Sequence, residues 1–242
     1  MISVLIPSNS DLIYRCVDHI LSLNISDYEI VICSRRPINI YHKRVKIVSD
    51  PPGNIGSIKA VNECLKYSQG EYFVSTPDDL LLNRNSFNIK EFINSEIFAT
   101  REYKMCSTGY PTRHNVGVPR ALKQRMTEWP KSHPHHIDSI NRDMSAGIMS
   151  FPAGKRETVD SLLDGVIFNE SFKHVGADNW LSYYIASKYE SPTFMPHTEA
   201  NFSLDDRDEE TMSLREYDSQ VYFELVYRHS INHISYNQLV KI

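Results

Sequence analysis

Short, nearly unbroken apolar runs that begin at residues 2, 28, 45 and 71 constrain this chain most. Ile2 to Ile6, Tyr28 to Cys33, Val45 to Val48 and Glu71 to Ser75 are each of strand length and rich in β-branched residues. Between the first two, Leu12, Ile13, Cys16, Val17, Ile20, Leu21 and Leu23 recur at helical spacing over Asp11 to Leu23. Between the last two, Ile58, Val61 and Leu65 do the same within Ile55 to Tyr67, with Gly70 read as the C′ residue that ends the helix. Strands apolar on both faces, alternating with amphipathic helices, predict an α/β fold with a mostly parallel central sheet covered by helices. In such sheets ligands bind outside the carboxyl ends of the strands. Those ends are Pro7-Ser8-Asn9, Cys33-Ser34 and Thr76-Pro77-Asp78-Asp79.

The second half is less regular. A strand is expected within Ile97 to Thr108 and another over Gly147 to Phe151. Helices are expected over Gly154 to Leu163, Ala177 to Lys188 and Glu216 to Tyr227, and a strand over Pro192 to Met195. Gly109 to Ile140, rich in Pro, His and Arg, reads as a long loop region, and loops of that length are usually functional. Asp205 to Glu210 reads as a mobile acidic run. With no repeat and no flexible linker, 1–242 reads as one domain: a nucleotide-sugar-binding half over 1–100, and an acceptor-binding half with the C-terminal helix over 101–242.

Composition narrows the partners. Lys and Arg total 26 against 30 Asp and Glu, a net charge of −4, and no basic stripe runs along the chain. That argues against nucleic acid, whose binders show such a stripe. The four cysteines are scattered without a CxxC pair, so neither a disulfide framework nor a zinc cluster is expected. No basic leader precedes the first strand and no run reaches membrane-spanning length, so the protein is expected in the cytoplasm. The glycosylation sequons at Asn24, Asn169 and Asn201 are read as chance matches.

Three segments have the residue types for chemistry. Asn54 and Gly56 begin a helix after a strand and a turn. Glycine there lets a ligand approach the backbone, and first-turn N–H groups favour an anion; a plain helix start fits as well. Asp78 and Asp79 suit Mg²⁺ or Mn²⁺, which prefer hard oxygen ligands. The same stretch fits a helix N-terminus, with Thr76 as N-cap, Pro77 at N1 and acids in the first turn. Asp178 opens the aromatic helix Trp180 to Ile185, read as amphipathic, and suits either a helix-dipole partner or a general base. His197, after a strand, is a candidate metal ligand, whereas His133, His135 and His136 read as exposed.

In order, these segments resemble a family 2-type glycosyltransferase of the GT-A fold. Ile2 to Ser8 resembles the opening strand, Asp27 to Ile32 the second strand, Asn54 to Asn62 the helix start after the third, and Gly70 to Asp79 the strand leading to the metal-binding acids. Gly147 to Trp180 resembles the acceptor half, which ends in the catalytic acid. The resemblance implies transfer of a sugar from a UDP- or GDP-sugar to a saccharide or lipid-linked saccharide acceptor, with inversion. A lipid-linked acceptor would bring the protein to the membrane periphery. Asp178 would be the general base. Pro7, Ser8, Asn9, Asn54, Gly56, Lys59 and Asp78 would bind the donor, and Asp79 with His197 would hold Mn²⁺ or Mg²⁺. Two departures stand out: Pro77 replaces the first acid of the usual Asp-x-Asp motif, and the second strand ends Cys33-Ser34-Arg35-Arg36 in place of acids that read the base. A sugar-nucleotidyltransferase is the alternative enzyme, although Pro7 to Asp11 lacks the glycine and basic residues such enzymes carry. A non-catalytic nucleotide-sugar-binding protein with a degenerate metal motif is the alternative outside enzymes.

Overall fold

The computed structural model describes residues 1–53, 56–96, 101, 103–108, 149–174, 176–189, 193–195, 198, 201–202, 209–232 and 234–240. Its centre is a six-stranded sheet in the order β3-β2-β1-β4-β7-β6. The strands are β1 (Ile2–Pro7), β2 (Tyr28–Ser34), β3 (Val45–Ser49), β4 (Tyr72–Ser75), β6 (Met105–Ser107) and β7 (Pro152–Lys155). β1 pairs in parallel with β2 and β4, and β2 with β3. β7 runs antiparallel to both β4 and β6. A separate two-stranded pair joins β5 (Leu80–Leu81) to β8 (Asn201–Phe202).

Burial follows position in the sheet. Val4, Leu5 and Ile6 of β1 and Ile30, Val31 and Ile32 of β2 have no exposed surface, as interior parallel strands require. β3 has a neighbour on one side only, and Lys46, Ile47 and Ser49 face solvent. Helix α1 (Leu12–Ser22) buries Ile13, Cys16, Val17 and Ile20; α2 (Ile58–Tyr67) buries Ile58, Val61, Cys64 and Leu65. Both present one apolar stripe to the core. The remaining helices are α3 (Ile89–Ile93), α4 (Arg156–Leu162), α5 (Ala177–Lys188) and α6 (Glu209–Asn232). No helix among the described residues is long and apolar enough to cross a membrane.

Several sequence expectations are corrected. Thr76 to Asp79 does not open a helix: Leu80 N–H bonds back to the Pro77 carbonyl and the chain enters β5, so tertiary pairing overrides the N-cap pattern. The strand placed over Gly147 to Phe151 lies at Pro152–Lys155, and α4 begins only at Arg156, because β4 and β6 recruit residues 152–155 into the sheet. Gly70 is not a helix C′ residue, for α2 ends at Tyr67 with Ser68 as its cap. Glycine is needed at 70 because a Cβ there would stand 2.4 Å from the Ser3 hydroxyl. Helix α5 is not amphipathic: Ala177 and every residue from Asn179 to Ile185 are buried. Helix α6 extends well beyond Glu216 to Tyr227 in both directions.

The second half of the chain is stitched together by buried amides. Asn62 of α2 accepts the N–H groups of Ile167 and Phe168 at 3.1 Å each and donates to the Phe168 carbonyl at 2.8 Å. Asn169 donates to the Tyr236 carbonyl at 2.8 Å and to that of Gln238 at 3.1 Å. Its side chain has no exposed surface, so a glycan cannot be attached at that sequon in the folded protein. Trp180 stacks on Tyr236 at 6.2 Å and donates its indole N–H to the Tyr236 carbonyl at 3.0 Å. Replacing Asn62 by Ala leaves two N–H groups and a carbonyl buried without that partner. The expected loss is about 3 kcal/mol of unfolding free energy, read as a lower midpoint in urea.

Candidate active site

Four parallel strands deliver their carboxyl ends to one edge of the sheet. Beyond β1, the Ser8 hydroxyl donates to Asp78 Oδ2 at 2.5 Å, and the Ser10 hydroxyl donates to the same oxygen at 2.8 Å. The Thr76 N–H reaches the Leu5 carbonyl, which keeps the end of β4 beside β1. Asp78 is therefore oriented by the first loop, and Asp79 follows it at the same strand end. The buried Cys16 thiol of α1 registers both acids. Burial pushes it up to about 12, with the charges of Asp78 and then Asp79 adding to the shift.

On the β2–β3 side, Asn9 Oδ1 accepts the Arg35 N–H at 3.0 Å, joining the first loop to the end of β2. Asp50 stands at the end of β3 with its side chain 1% exposed and its Oδ2 3.7 Å from Arg35 Nε. Its Oδ1 accepts from the Cys33 thiol at 3.7 Å. A cleft of about 550 Å³ opens here, lined by Ser34, Arg35, Ile38, Val48, Asp50 and Pro52 among others. A cleft of about 620 Å³ lies around Gln69, Glu71, Lys155 and Arg156, at the opposite end of the strands and away from these carboxylates.

Strand register brings Asp178 to the same edge. Val74 of β4 pairs with Ala153 of the antiparallel β7, so the residues before Pro152 lie beside the carboxyl end of β4. Among them is Ser150, whose hydroxyl donates to Asp178 Oδ2 at 3.2 Å. The Asn179 N–H donates to Asp178 Oδ1 at 2.9 Å. Asp178 is half-buried in the first turn of α5, two residues after Gly176 with φ +82°. Loss of water around the carboxyl pushes its pKa above the usual carboxylate range; those two hydrogen bonds and the nearby charge of His174 act in the other direction.

In the strap that leads into α5, Lys173 and His174 lie against Gly56 just before α2. A Cβ at Gly56, where φ is +98°, would stand 1.9 Å from the Lys173 carbonyl oxygen. Glycine at 56 is thus explained by packing and a left-handed backbone. From α6, the carboxylate of Asp218 accepts the N–H groups of Lys173 and His174.

The structure thus gathers Pro7, Ser8, Asn9, Asp78 and Asp79 at one edge, with Asp178 brought there through Ser150. Lys59 is exposed in the first turn of α2. Asn54, His197, His133, His135 and His136 lie outside the described residues. Two neighbouring carboxylates fit part of the shell of a hard divalent cation. No group of three His, Cys, Asp or Glu side chains suited to a metal occurs among the described residues. Sequence reasoning missed Ser10, Ser150, Asp50 and Asp218. Asp50 had a signal, since it ends a strand directly before the breaker Pro51-Pro52-Gly53; the others had none.

No protein-family model and no curated protein matches this sequence. Solved structures do match by fold. Residues 1–349 of Staphylococcus aureus TarS align with a TM-score of 0.54 and 12% identity, covering 96% of this chain and 72% of that one. Glucosyl-3-phosphoglycerate synthase from Mycobacterium tuberculosis, in complex with Mn²⁺, uridine diphosphate and glucosyl-3-phosphoglycerate, aligns with a TM-score of 0.59 and 16% identity over 94% of this chain and 79% of that one. A mycobacterial protein aligns with a TM-score of 0.58 and 18% identity over 94% and 74%. The sheet order, the helices that cover it and these matches together show that the chain has the GT-A fold.

Proposed function

We propose that the protein transfers a sugar from a nucleoside diphosphate to an acceptor hydroxyl, with inversion at the anomeric carbon. The observation that supports this best is the register of β7 on β4. It sets a half-buried carboxylate, Asp178, at the same sheet edge as Asp78 and Asp79. A glycosyl transfer needs both kinds of group: a base for the acceptor hydroxyl and charge compensation for the departing diphosphate.

In this reading Ser8, Asn9 and the Arg35–Asp50 pair line the nucleoside side. Asp50 takes the place of the acids that the second strand lacks, offering an acceptor to a base N–H beside the donor groups of Arg35. Asp78, oriented by Ser8 and Ser10, and Asp79 would hold Mn²⁺ or Mg²⁺, with His197 as a further ligand. Such a cation, when bound, supplies Lewis-acid stabilisation of diphosphate charge. The Gly56 backbone and Lys59, at the start of α2, would face the phosphates, and Asn54 would be a further donor-binding residue. Asp178 accepts the acceptor's proton; its raised pKa brings its basicity nearer to neutral pH than that of an ordinary carboxylate. Ser150 and the Asn179 N–H hold the carboxylate in place. The donor is a UDP- or GDP-sugar and the acceptor a saccharide, free or lipid-linked, met in the cytoplasm.

The test is release of free nucleoside diphosphate from a panel of nucleotide sugars, with and without Mn²⁺, alongside thermal shifts with the same panel. Shifts without release in any acceptor extract would mark a nucleotide-sugar-binding protein instead. Absence of both would remove the reading. A more local expectation concerns Asp50→Asn. A charge-assisted hydrogen bond to a base N–H is worth about 1.5–3 kcal/mol, so nucleotide binding should weaken by roughly 10- to 100-fold. Titration calorimetry with uridine and guanosine diphosphates measures this, with a melting curve to account for the lost contacts to Arg35 and Cys33.

A further inference from the structure

Asp218 sits within α6, remote in sequence from every group above, and its side chain is 1% exposed. A buried carboxylate is costly unless hydrogen bonds replace its water. Here they come from consecutive amides. Oδ1 accepts the Lys173 N–H at 2.8 Å and Oδ2 accepts the His174 N–H at 2.8 Å. Bonds from N–H groups to an ionised acceptor are short and strong, and two of them fix a peptide in direction as well as place. The neighbouring Tyr217 holds the same stretch, with the Lys173 ammonium 3.9 Å from its ring centroid. On the other side of the strap, the Lys173 carbonyl occupies the space over Gly56 at the start of α2. Gly176 then turns the chain into α5, and Asp178 follows in its first turn.

We infer that Asp218 is a positioning residue for the transfer proposed above: by clamping the Lys173–Gly176 strap against the start of α2, it sets where Asp178 stands relative to the donor. The inference rests on Asp178 being the base. A purely packing role has no use for a charge at this place, since an apolar side chain of similar size fills a helix face at lower cost. The carboxylate is explained by what it holds. Lys173, His174 and Gly176 lie in no helix or strand, and the Lys173 carbonyl and His174 Cβ pack over Gly56 just before the donor-side helix. Without the clamp, Asp178 remains in α5, but the start of that helix is free to shift. Misplacement of a catalytic group by about 1 Å costs on the order of 100-fold in rate.

The experiment uses the full chain and four proteins: the parent, Asp218→Asn, Tyr217→Ala and Asp178→Asn. Nucleotide binding is measured with uridine or guanosine diphosphate, whichever the parent binds. Turnover is measured as nucleoside diphosphate release, and stability by melting. In Asp218→Asn, one amide faces an NH₂ group where it had an oxygen. The expected result is a kcat lower by roughly 10- to 100-fold with nucleotide Kd within about twofold of the parent, at temperatures well below melting. Tyr217→Ala, which removes the ring under the Lys173 ammonium at a partly buried position while keeping Asp218, should lower kcat severalfold with Kd unchanged. Parental kcat in a folded Asp218→Asn overturns the inference. So does a fall in kcat matched by an equal weakening of nucleotide binding, the mark of general loosening. If Asp218→Asn does not fold, parental kcat in Tyr217→Ala overturns it. Failure of the underlying reading looks different: the parent shows no turnover, or Asp178→Asn keeps it, and the inference then falls with that reading.

Discussion

Asp178→Asn is expected to fold and to bind nucleotide like the parent while turnover falls by roughly two to four orders of magnitude, the usual worth of a general base. Asn is nearly isosteric and keeps an acceptor for the Asn179 N–H or the Ser150 hydroxyl, so the buried packing of Trp180 survives. The stability change has a defined sign. Burial raises the Asp178 pKa above its unfolded value, so the native state binds this proton more tightly than the unfolded chain does. The stabilisation from that proton is fully present below the unfolded pKa and is lost as pH rises through the folded one. At neutral pH the ionised group therefore opposes folding, and the Asn variant should be as stable as the parent or slightly more so. That advantage should shrink toward acid. A helix-dipole partner predicts the reverse pattern, a loss of up to about 1 kcal/mol with near-normal turnover. Melting curves at two pH values, paired with turnover at saturating donor and acceptor, separate the two. Near-normal turnover would remove Asp178 from the mechanism. The His174 side chain would be the next to test; the Glu170 carboxylate accepts from Asn62 of α2 at 3.2 Å and is partly committed there.

Asp79→Ala is expected to abolish Mn²⁺-stimulated turnover. Charge compensation at a departing diphosphate is worth several kcal/mol, hence at least two orders of magnitude in rate. Asp78→Ala should do less to the chemistry and more to the fold, because it also releases the Ser8 and Ser10 hydroxyls that join the first loop to β4. The two variants, assayed over a Mn²⁺ titration and after chelator treatment, assign the roles. Full activity in Asp79→Ala together with indifference to chelator would sink the metal assignment. The leaving charge would then fall to Lys59 or to the N–H groups at the start of α2.

The parallel core was legible because its signal is local. A strand buried on both faces must be mostly apolar, and β1, β2 and β4 are, with Ser3, Glu29, Ser34 and Ser75 as their polar members. The antiparallel half was harder. Pro152 to Lys155 contains no β-branched residue and becomes a strand only because β4 and β6 flank it. The pattern of Thr76 to Asp79 satisfied the rules for a helix start, but it competes with pairing to β8 and loses. Within the site, the residues at the ends of β1 and β4 were found because the parallel-sheet rule points to them, while Asp50 at the end of β3, directly before a breaker cluster, was passed over. Ser150, Asn62 and Asp218 were invisible because each works through a partner 28 to 108 positions away, and nothing in their immediate neighbours encodes that distance.

The buried join between Asn169 and the Tyr236 carbonyl has a consequence for the order of synthesis. The Tyr236 hydroxyl also reaches the Ile167 carbonyl, and the Val240 N–H reaches Ser171. Domains fold from the N-terminus while the ribosome is still adding residues. The parallel strands complete their pairing early, from residues 2 to 75 alone. Residues 167–171 wait for partners translated some seventy residues later. A nascent chain therefore assembles its parallel sheet well before the segment 167–171 is secured, and a message truncated before Tyr236 would yield a protein whose sheet forms while that segment lacks its buried partners.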